Sequence, residues 1–309
     1  MSITSMHKRF LRAMGRNVFY VSRKIVRHLP YRVFKMLTPL SVVVGRIFLK
    51  RKKHIVLKNL HLVFGNDKTR EEINDMAHSW LKNMCSGMAE LTYLIDHPEK
   101  IIERVSIEGG QNLEEAVSKG HGVILLSAHF GNFVLMLLRM ARAGYKTNCI
   151  MRRMKDKQFG KSVYDFCGKN GVRIIYSLPH KECVEQSFKS LRNGQILFVL
   201  LDQNYGERGG VFVDFFGKPA ATGTGPVIFS NRSGAPILPV FIVGDGVDRH
   251  KIIIGEPVKL VASQYEGSSL VRNTAQLTKI IETYIRQYPH EWGGWMHLRW
   301  KTEKPVFIK

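Results

Sequence analysis

One stretch limits what this chain can fold into: residues 122–143, GVILLSAHFGNFVLMLLRMARA. Val123 to Leu126 form a continuous apolar run, and a longer one follows from Phe133 to Met140. Between them Ser127, Ala128, His129, Phe130, Gly131 and Asn132 make a sharp joint. A short run, a Gly/Asn turn and a longer run ending near Arg142 and Gly144 predict strand, turn, helix. Asn132 is suited to cap that helix. His129 then sits at the strand's carboxyl end, where open α/β sheets place their sites. The positive end of the helix dipole is expected to favour neutral imidazole, the form a general base needs. A histidine beside an apolar run also reads as a satisfied core residue, so the rest of the chain has to decide.

The flanking sequence supports a large α/β unit. Helices are predicted over Thr69 to Leu94, Gly110 to Lys119, Gln158 to Asn170, Glu182 to Arg192 and Leu270 to Tyr288. Strands are predicted over Ile101 to Glu108, Lys146 to Met151, Val172 to Tyr176, Ile196 to Leu201, Ile237 to Val243 and Lys251 to Ile254, the last one antiparallel. Alternating helices and apolar strands predict a mostly parallel central sheet covered on both faces. Two arginines, Arg152 and Arg153, and the acid Asp202 fall at strand carboxyl ends, on the edge expected to carry His129. The arginine pair also fits a solvated basic turn. Asp214 interrupts the apolar VFVDFF, which also fits the polar face of an edge strand. Thr224 and Pro226 open a helix running to Ser233.

Charge sets the first 66 residues apart. The 309-residue chain has 47 Lys+Arg against 25 Asp+Glu, a net +22, which calls for an anionic partner. Residues 1–66 hold no acid, and their cations alternate with apolar residues at helical spacing. The longest uncharged stretch, Met36 to Gly45, is too short to span a bilayer, which takes roughly 20 apolar residues. We therefore divide the chain into a basic amphipathic helical segment, 1–66, and an α/β domain, 67–309. The segment reads as lying on an anionic membrane surface, or as a basic hairpin packed on the domain. Four scattered cysteines, Cys85, Cys149, Cys167 and Cys183, show neither C-x-x-C pairing nor metal spacing.

Several blocks in order resemble the bacterial lipid A biosynthesis acyltransferases, the lauroyl/myristoyl group of the lysophospholipid acyltransferase superfamily. They are SAHFGN (127–132), Met151-Arg152, LDQNYG (201–206), GVFVDFFGKPAAT (210–222), GPVIFSNRSGAPILPV (225–240) and WGGWMHLRWK (292–301). The resemblance implies a glycerolipid acyltransferase-like α/β fold, held peripherally or monotopically at the cytoplasmic face of the inner membrane. It implies transfer of a fatty acyl chain from acyl carrier protein, or coenzyme A, to a hydroxyl of a glycolipid acceptor.

In this family the catalytic histidine is followed five positions later by an acid. His129 matches the histidine, and the acidic position falls on Val134. An imidazole base works best when its second nitrogen is held by an acceptor, so we expect Asp202 or Asp214 to supply the acid. Both carboxylates are also placed to pair with arginines such as Arg152 or Arg208. Arg152 or nearby backbone N–H groups are expected to stabilise the oxyanion. Substrate contacts are expected from Phe130, Gly131, Asn132, Val134, Arg153, Gln203, Phe216, Gly217 and Thr222. A thioester is already activated, so no metal or other cofactor is expected.

Two other classes stay open. A relative that lost the acid can keep the fold and bind membranes without catalysis, and an acyltransferase can serve another lysolipid or glycolipid. Nucleic acid is not expected as a partner, because no binding motif accompanies the charge and the cations concentrate beside apolar residues.

Overall fold

The computed structural model describes residues 3–206, 210–246, 248–262 and 266–302. Arg208 lies outside them. Three helices lead: α1 (Ile3–Val26), α2 (Tyr31–Phe64) and α3 (Arg70–Leu94). A capping box starts α3: Thr69 Oγ1 accepts from the Glu72 N–H, and the Glu72 carboxylate accepts from the Thr69 N–H. Next come α4 (Lys100–Arg104) and β1 (Val105–Glu108). The strand expected from Ile101 therefore begins only at Val105. The chain after Pro98 turns helically, with Ile101 N bonded to Pro98 O, and proline's fixed φ suits a first helical turn.

From there the alternation read in the sequence holds. It runs α5 (Gly110–Ser118), β2 (Val123–Ser127), α6 (Phe133–Arg142), β3 (Thr147–Met151), α7 (Lys157–Lys169), β4 (Val172–Tyr176), α8 (His180–Arg192) and β5 (Ile196–Leu200). A two-stranded hairpin, β6 (Gly210–Phe215) and β7 (Lys218–Gly223), stands apart from the main sheet. The remainder is α9 (Gly225–Ser233), β8 (Ile237–Gly244), β9 (His250–Ile254), α10 (Glu266–Gln287) and two 3₁₀ turns, Pro289–Glu291 and Gly293–Met296. Thr224 precedes α9 as expected, but its side chain makes no cap bond. Its ψ of 1° lies outside the extended region from which a cap hydroxyl reaches back.

The seven-stranded sheet has the order β1-β9-β8-β2-β5-β3-β4. β8, β2, β5, β3 and β4 pair in parallel, whereas β9 runs antiparallel to β8 and parallel to β1. Both faces are covered. Val123 and Leu125 of β2 face one apolar cluster with α6, and Ile124 and Leu126 face the other with α10 and the tryptophans of the tail. β2 and β5 are neighbours with Ser127 opposite Leu200. The residues two positions beyond each, His129 and Asp202, are thereby brought to the same point of the sheet edge.

The N-terminal helices pack on this body. Val56, Leu60 and Phe64 of α2 share a core with Trp80 and Trp295, so the expected division at residue 66 falls within one continuous packing unit. Three cations of the acid-free segment pair with acids of the body: Arg16 with Asp156 at 2.7 Å, Arg23 with Asp96 at 2.7 Å, and Lys35 with Asp248. The outer face of α2 stays apolar and exposed, with Met36 at 80% and Ile47 at 72%, alongside Val33, Leu40 and Val43 at helical spacing. Among the described residues no helix is long and apolar enough to cross a membrane.

The β2–α6 joint depends on Gly131. Its φ is +54°, and a Cβ there would collide with the Ile242 carbonyl oxygen. Gly131→Ala is expected to cost at least about 1–3 kcal/mol from left-handed strain alone, before the clash is relieved. An unchanged urea midpoint in the variant would contradict this account.

Candidate active site

The functional edge is assembled from two strand ends and the C-terminal tail. His129 lies two residues past β2, with its side chain 28% exposed. Asn132 caps α6, its side-chain oxygen accepting from Leu135 N, while its amide donates to Gly87 O on α3. Phe133 meets the His129 ring edge to face at 5.3 Å.

Asp202 is the acid that reaches the histidine. Its Oδ1 lies 2.8 Å from His129 Nδ1, and its Oδ2 accepts from Trp292 Nε1 at 2.8 Å. The Asp202 side chain has no exposed surface. A buried carboxylate is costly unless its lone pairs are met, and here both oxygens have a donor. Gln203, the next residue, places its amide nitrogen 3.1 Å from His129 Nε2. With Asp202 ionised, the proton of the neutral ring sits on Nδ1, and Nε2 faces outward as the acceptor.

The charges follow. Burial pushes the His129 imidazole down, but the Asp202 charge and hydrogen bond outweigh it, so the net shift is upward. Burial pushes the Asp202 carboxyl up, and the His129 charge with bonds from His129 and Trp292 brings it well below the ordinary range. This corrects the expectation from the helix dipole alone. A buried full charge in contact with the ring exceeds the partial charge of a helix end.

The tail closes the site from behind. Gly293 N donates to His129 O at 2.7 Å, and Gly131 N donates to Glu291 O at 2.9 Å, pairing the tail with the joint. Trp80 of α3 donates from Nε1 to Trp292 O. Trp292 lies in the block WGGWMHLRWK but is not among the site residues expected from the sequence. A buried aspartate needing a second donor was the available signal, because indole carries one N–H and no acceptor.

The remaining candidates have other placements. Asp214 is not brought to His129. It is exposed, and its Oδ1 accepts from Gly217 N across the β6–β7 turn. Phe216 and Gly217, both with positive φ, form that two-residue turn, and a short acid at its start closes on the nearest free N–H. Phe216 is buried against Trp292 and Trp295, with its N–H on Glu282. Thr222 is fully buried, its hydroxyl accepting from Arg299 at 2.6 Å. Phe130 is interior, packed on Phe241. Gly131 is committed to the joint.

Arg152 and Arg153 follow β3, two places from β2 in the sheet. Arg152 is exposed, and Arg153 stacks on Tyr176 at 3.9 Å in an open basic pocket with Lys155, Lys157 and Lys161. Val134, at the family's acidic position, is half-buried and borders a cavity of 240 Å³ with Phe133, Met84, Met88 and Leu91.

A histidine held by a buried acid at the carboxyl edge of a parallel sheet is a general-base arrangement. The profile described as "Bacterial lipid A biosynthesis acyltransferase" matches residues 2–302. The chain belongs to that family. It is an acyltransferase, similar to the lipid A biosynthesis palmitoleoyltransferase of Escherichia coli (strain K12), at 27% identity over 289 residues, 90% of this chain and 88% of the relative. It is similar at 26% to the lipid A biosynthesis lauroyltransferase of the same organism, over the same shares of the two chains. Among solved structures it is similar to the 1-acyl-sn-glycerophosphate acyltransferase of Thermotoga maritima, with a TM-score of 0.39, 16% identity, and coverage of 82% of this chain and 98% of that one.

The upward shift of His129 sets a pH dependence for this acyltransferase. Were His129 the base of the transfer, it would have to be unprotonated, and kcat/KM would fall as pH drops through its raised pKa, with a midpoint above the ordinary 6.5. Asp202→Asn removes the interaction that raises it. The midpoint should move toward acid while the plateau rate falls about 10²–10⁴-fold. A pH–rate series on both proteins checks the sign.

Proposed function

We propose that this acyltransferase moves a fatty acyl chain from an acyl carrier protein thioester to a hydroxyl of a lipid A-type glycolipid precursor. His129 is the general base and Asp202 its orienting acid. The contact of 2.8 Å between His129 Nδ1 and Asp202 Oδ1 carries the reading, because it supplies from β5 what Val134 lacks.

In this mechanism the acceptor hydroxyl displaces the Gln203 amide from His129 Nε2 and gives its proton to that nitrogen. The alkoxide attacks the thioester carbonyl carbon, forming the new C–O bond and placing the carbonyl π pair on oxygen. When the carbonyl re-forms, the C–S bond breaks, and the departing sulfur takes the proton from the His129 imidazolium. Asp202 stays ionised throughout and stabilises that imidazolium. The apolar wall bordered by Val134, Phe133, Met84 and Met88 suits an acyl chain.

Membrane association follows from the same chain. The exposed apolar stripe of α2, with Met36, Leu40 and Ile47, is flanked by cations that have no acidic partner among the described residues, such as Lys50 and Lys53. An amphipathic helix of this composition lies in the interface of an anionic bilayer, here the cytoplasmic face of the inner membrane. Flotation should recover the protein with anionic vesicles and much less with neutral ones. Added salt, or Leu40→Asp with Ile47→Asp, should release it. Equal recovery with both vesicle types would contradict an electrostatic anchor.

The chemical reading is tested in detergent micelles with dodecanoyl acyl carrier protein and a lipid A precursor. His129→Ala should lower kcat by about 10²–10⁴-fold while its circular dichroism stays that of the parent. Dodecanoyl-coenzyme A should be used less efficiently than the carrier-bound chain. Normal turnover in a folded His129→Ala protein overturns the assignment.

A further inference from the structure

The dyad accounts for the proton but not for the negative charge that forms on the carbonyl oxygen. Backbone amides of the joint are the first place to look, and those nearest the His129 backbone are committed, which leaves the first-turn amides of α6, Phe133 N and Val134 N, without a bond among the described residues. Phe130 N bonds to Ala128 O at 2.7 Å, Gly131 N to Glu291 O, and Leu135 N to the Asn132 cap. Gly293 N of the tail is held by His129 O. Arg152 is exposed at the end of a strand two places away and has no hydrogen bond or ion pair among the described residues.

A second imidazole stands beside the first. His297 ends the 3₁₀ turn Gly293–Met296, with its N–H on Gly294 O. Its carbonyl is gripped by Asn59 Nδ2 of α2 at 2.8 Å. Its ring centroid lies 6.0 Å from that of His129, with the planes tilted by 51°. The side chain is half-buried, and among the described residues its ring nitrogens have no hydrogen-bond partner. Two rings at this spacing can both reach one small reacting group placed between them.

We propose that His297 is the group that donates a hydrogen bond to the thioester carbonyl oxygen as it takes up negative charge. This rests on the reading of His129 as the base of an acyl transfer. The step adds no proton of its own. The alkoxide's electron pair forms the C–O bond, the π pair moves to oxygen, and the His297 N–H meets that oxygen until the C–S bond breaks.

The surroundings favour a neutral donor. Three charged or titratable groups face His297: His129 from the β2–α6 joint, Asp202 from the end of β5, and Lys52 from α2. Burial pushes the His297 imidazole down, His129 and Lys52 push the same way, and Asp202 opposes them. A histidine kept neutral is an established electrophile for a developing oxyanion. When His129 becomes imidazolium during the attack, its charge opposes protonation of His297 further. His297 therefore does not compete for the hydroxyl's proton, and the two rings keep separate tasks.

The test compares His297→Ala and His297→Gln in the full chain, with dodecanoyl acyl carrier protein as donor and His129→Ala as the control. The side chain is free to change, because Asn59 grips the backbone carbonyl rather than the ring. His297→Ala should lower kcat about 10²–10³-fold, the loss typical of one oxyanion donor, with KM changed only slightly. His297→Gln, which restores a neutral N–H, should recover most of that loss. Equal loss in both variants, or a loss that appears in KM alone, overturns the proposal in favour of a packing role. Full activity in His297→Ala with an inactive His129→Ala removes the oxyanion assignment and leaves the base intact. Activity in both alanine variants removes the underlying dyad as well.

Discussion

Asp202 is a carboxylate with no exposed side-chain surface, and the functional edge is arranged to make that tolerable. An uncompensated buried charge costs several kcal/mol. His129 meets one oxygen and Trp292 the other. Each donor then has to be held in place. The Gly131–Glu291 and Gly293–His129 backbone bonds fasten the tail to the joint, and Trp80 holds the Trp292 carbonyl. Below the site, Arg299 ties the tail to β7 through Ala221 O and Thr222. Burial pushes the Arg299 guanidinium down to about 10, with the Asp202 charge opposing. Asp202, His129, the tail and the hairpin are thereby linked by polar contacts inside an apolar body.

The N-terminal helices show one composition used in two ways. An acid-free, cationic segment can be drawn to lipid or to the body's own carboxylates. Arg16, Arg23 and Lys35 take the second course and dock α1 and α2 on the body. Docking turns the apolar stripe of α2 outward, and the lower half of the same helix reaches the catalytic edge through Asn59 and Lys52. The surface proposed to meet lipid and the contacts that hold the tail beside His129 are thus two stretches of one helix.

Much of the fold was legible because it is written in local periodicity. The apolar runs of β2 and β5 match the expected strands to within a residue, since a strand buried on both faces tolerates little else. The capped helix after Asn132 and the antiparallel β9 were equally readable. The misreadings share a cause. Ile101 to Arg104 carries an apolar pattern short enough for strand or helical turn, and Pro98 decided it. Thr224 has the right residue type for a cap in the wrong backbone conformation. Asp214 looked unusual within VFVDFF but was needed by the hairpin turn it begins.

The sequence by itself determined the α/β class, the histidine at a strand end, the blocks that mark the family, and the absence of an acid at Val134. Those follow from residue type and spacing along a few turns of chain. Which of the two candidate carboxylates reaches His129 was decided only by strand order. Asp202 is 73 residues from His129, and it arrives because β5 lies next to β2 with Ser127 opposite Leu200. Trp292 and His297 are further away in sequence and reach the site on a tail with little regular structure. No periodicity encodes such a meeting. It is fixed by the sheet's pairing and by the need of one buried charge for two donors.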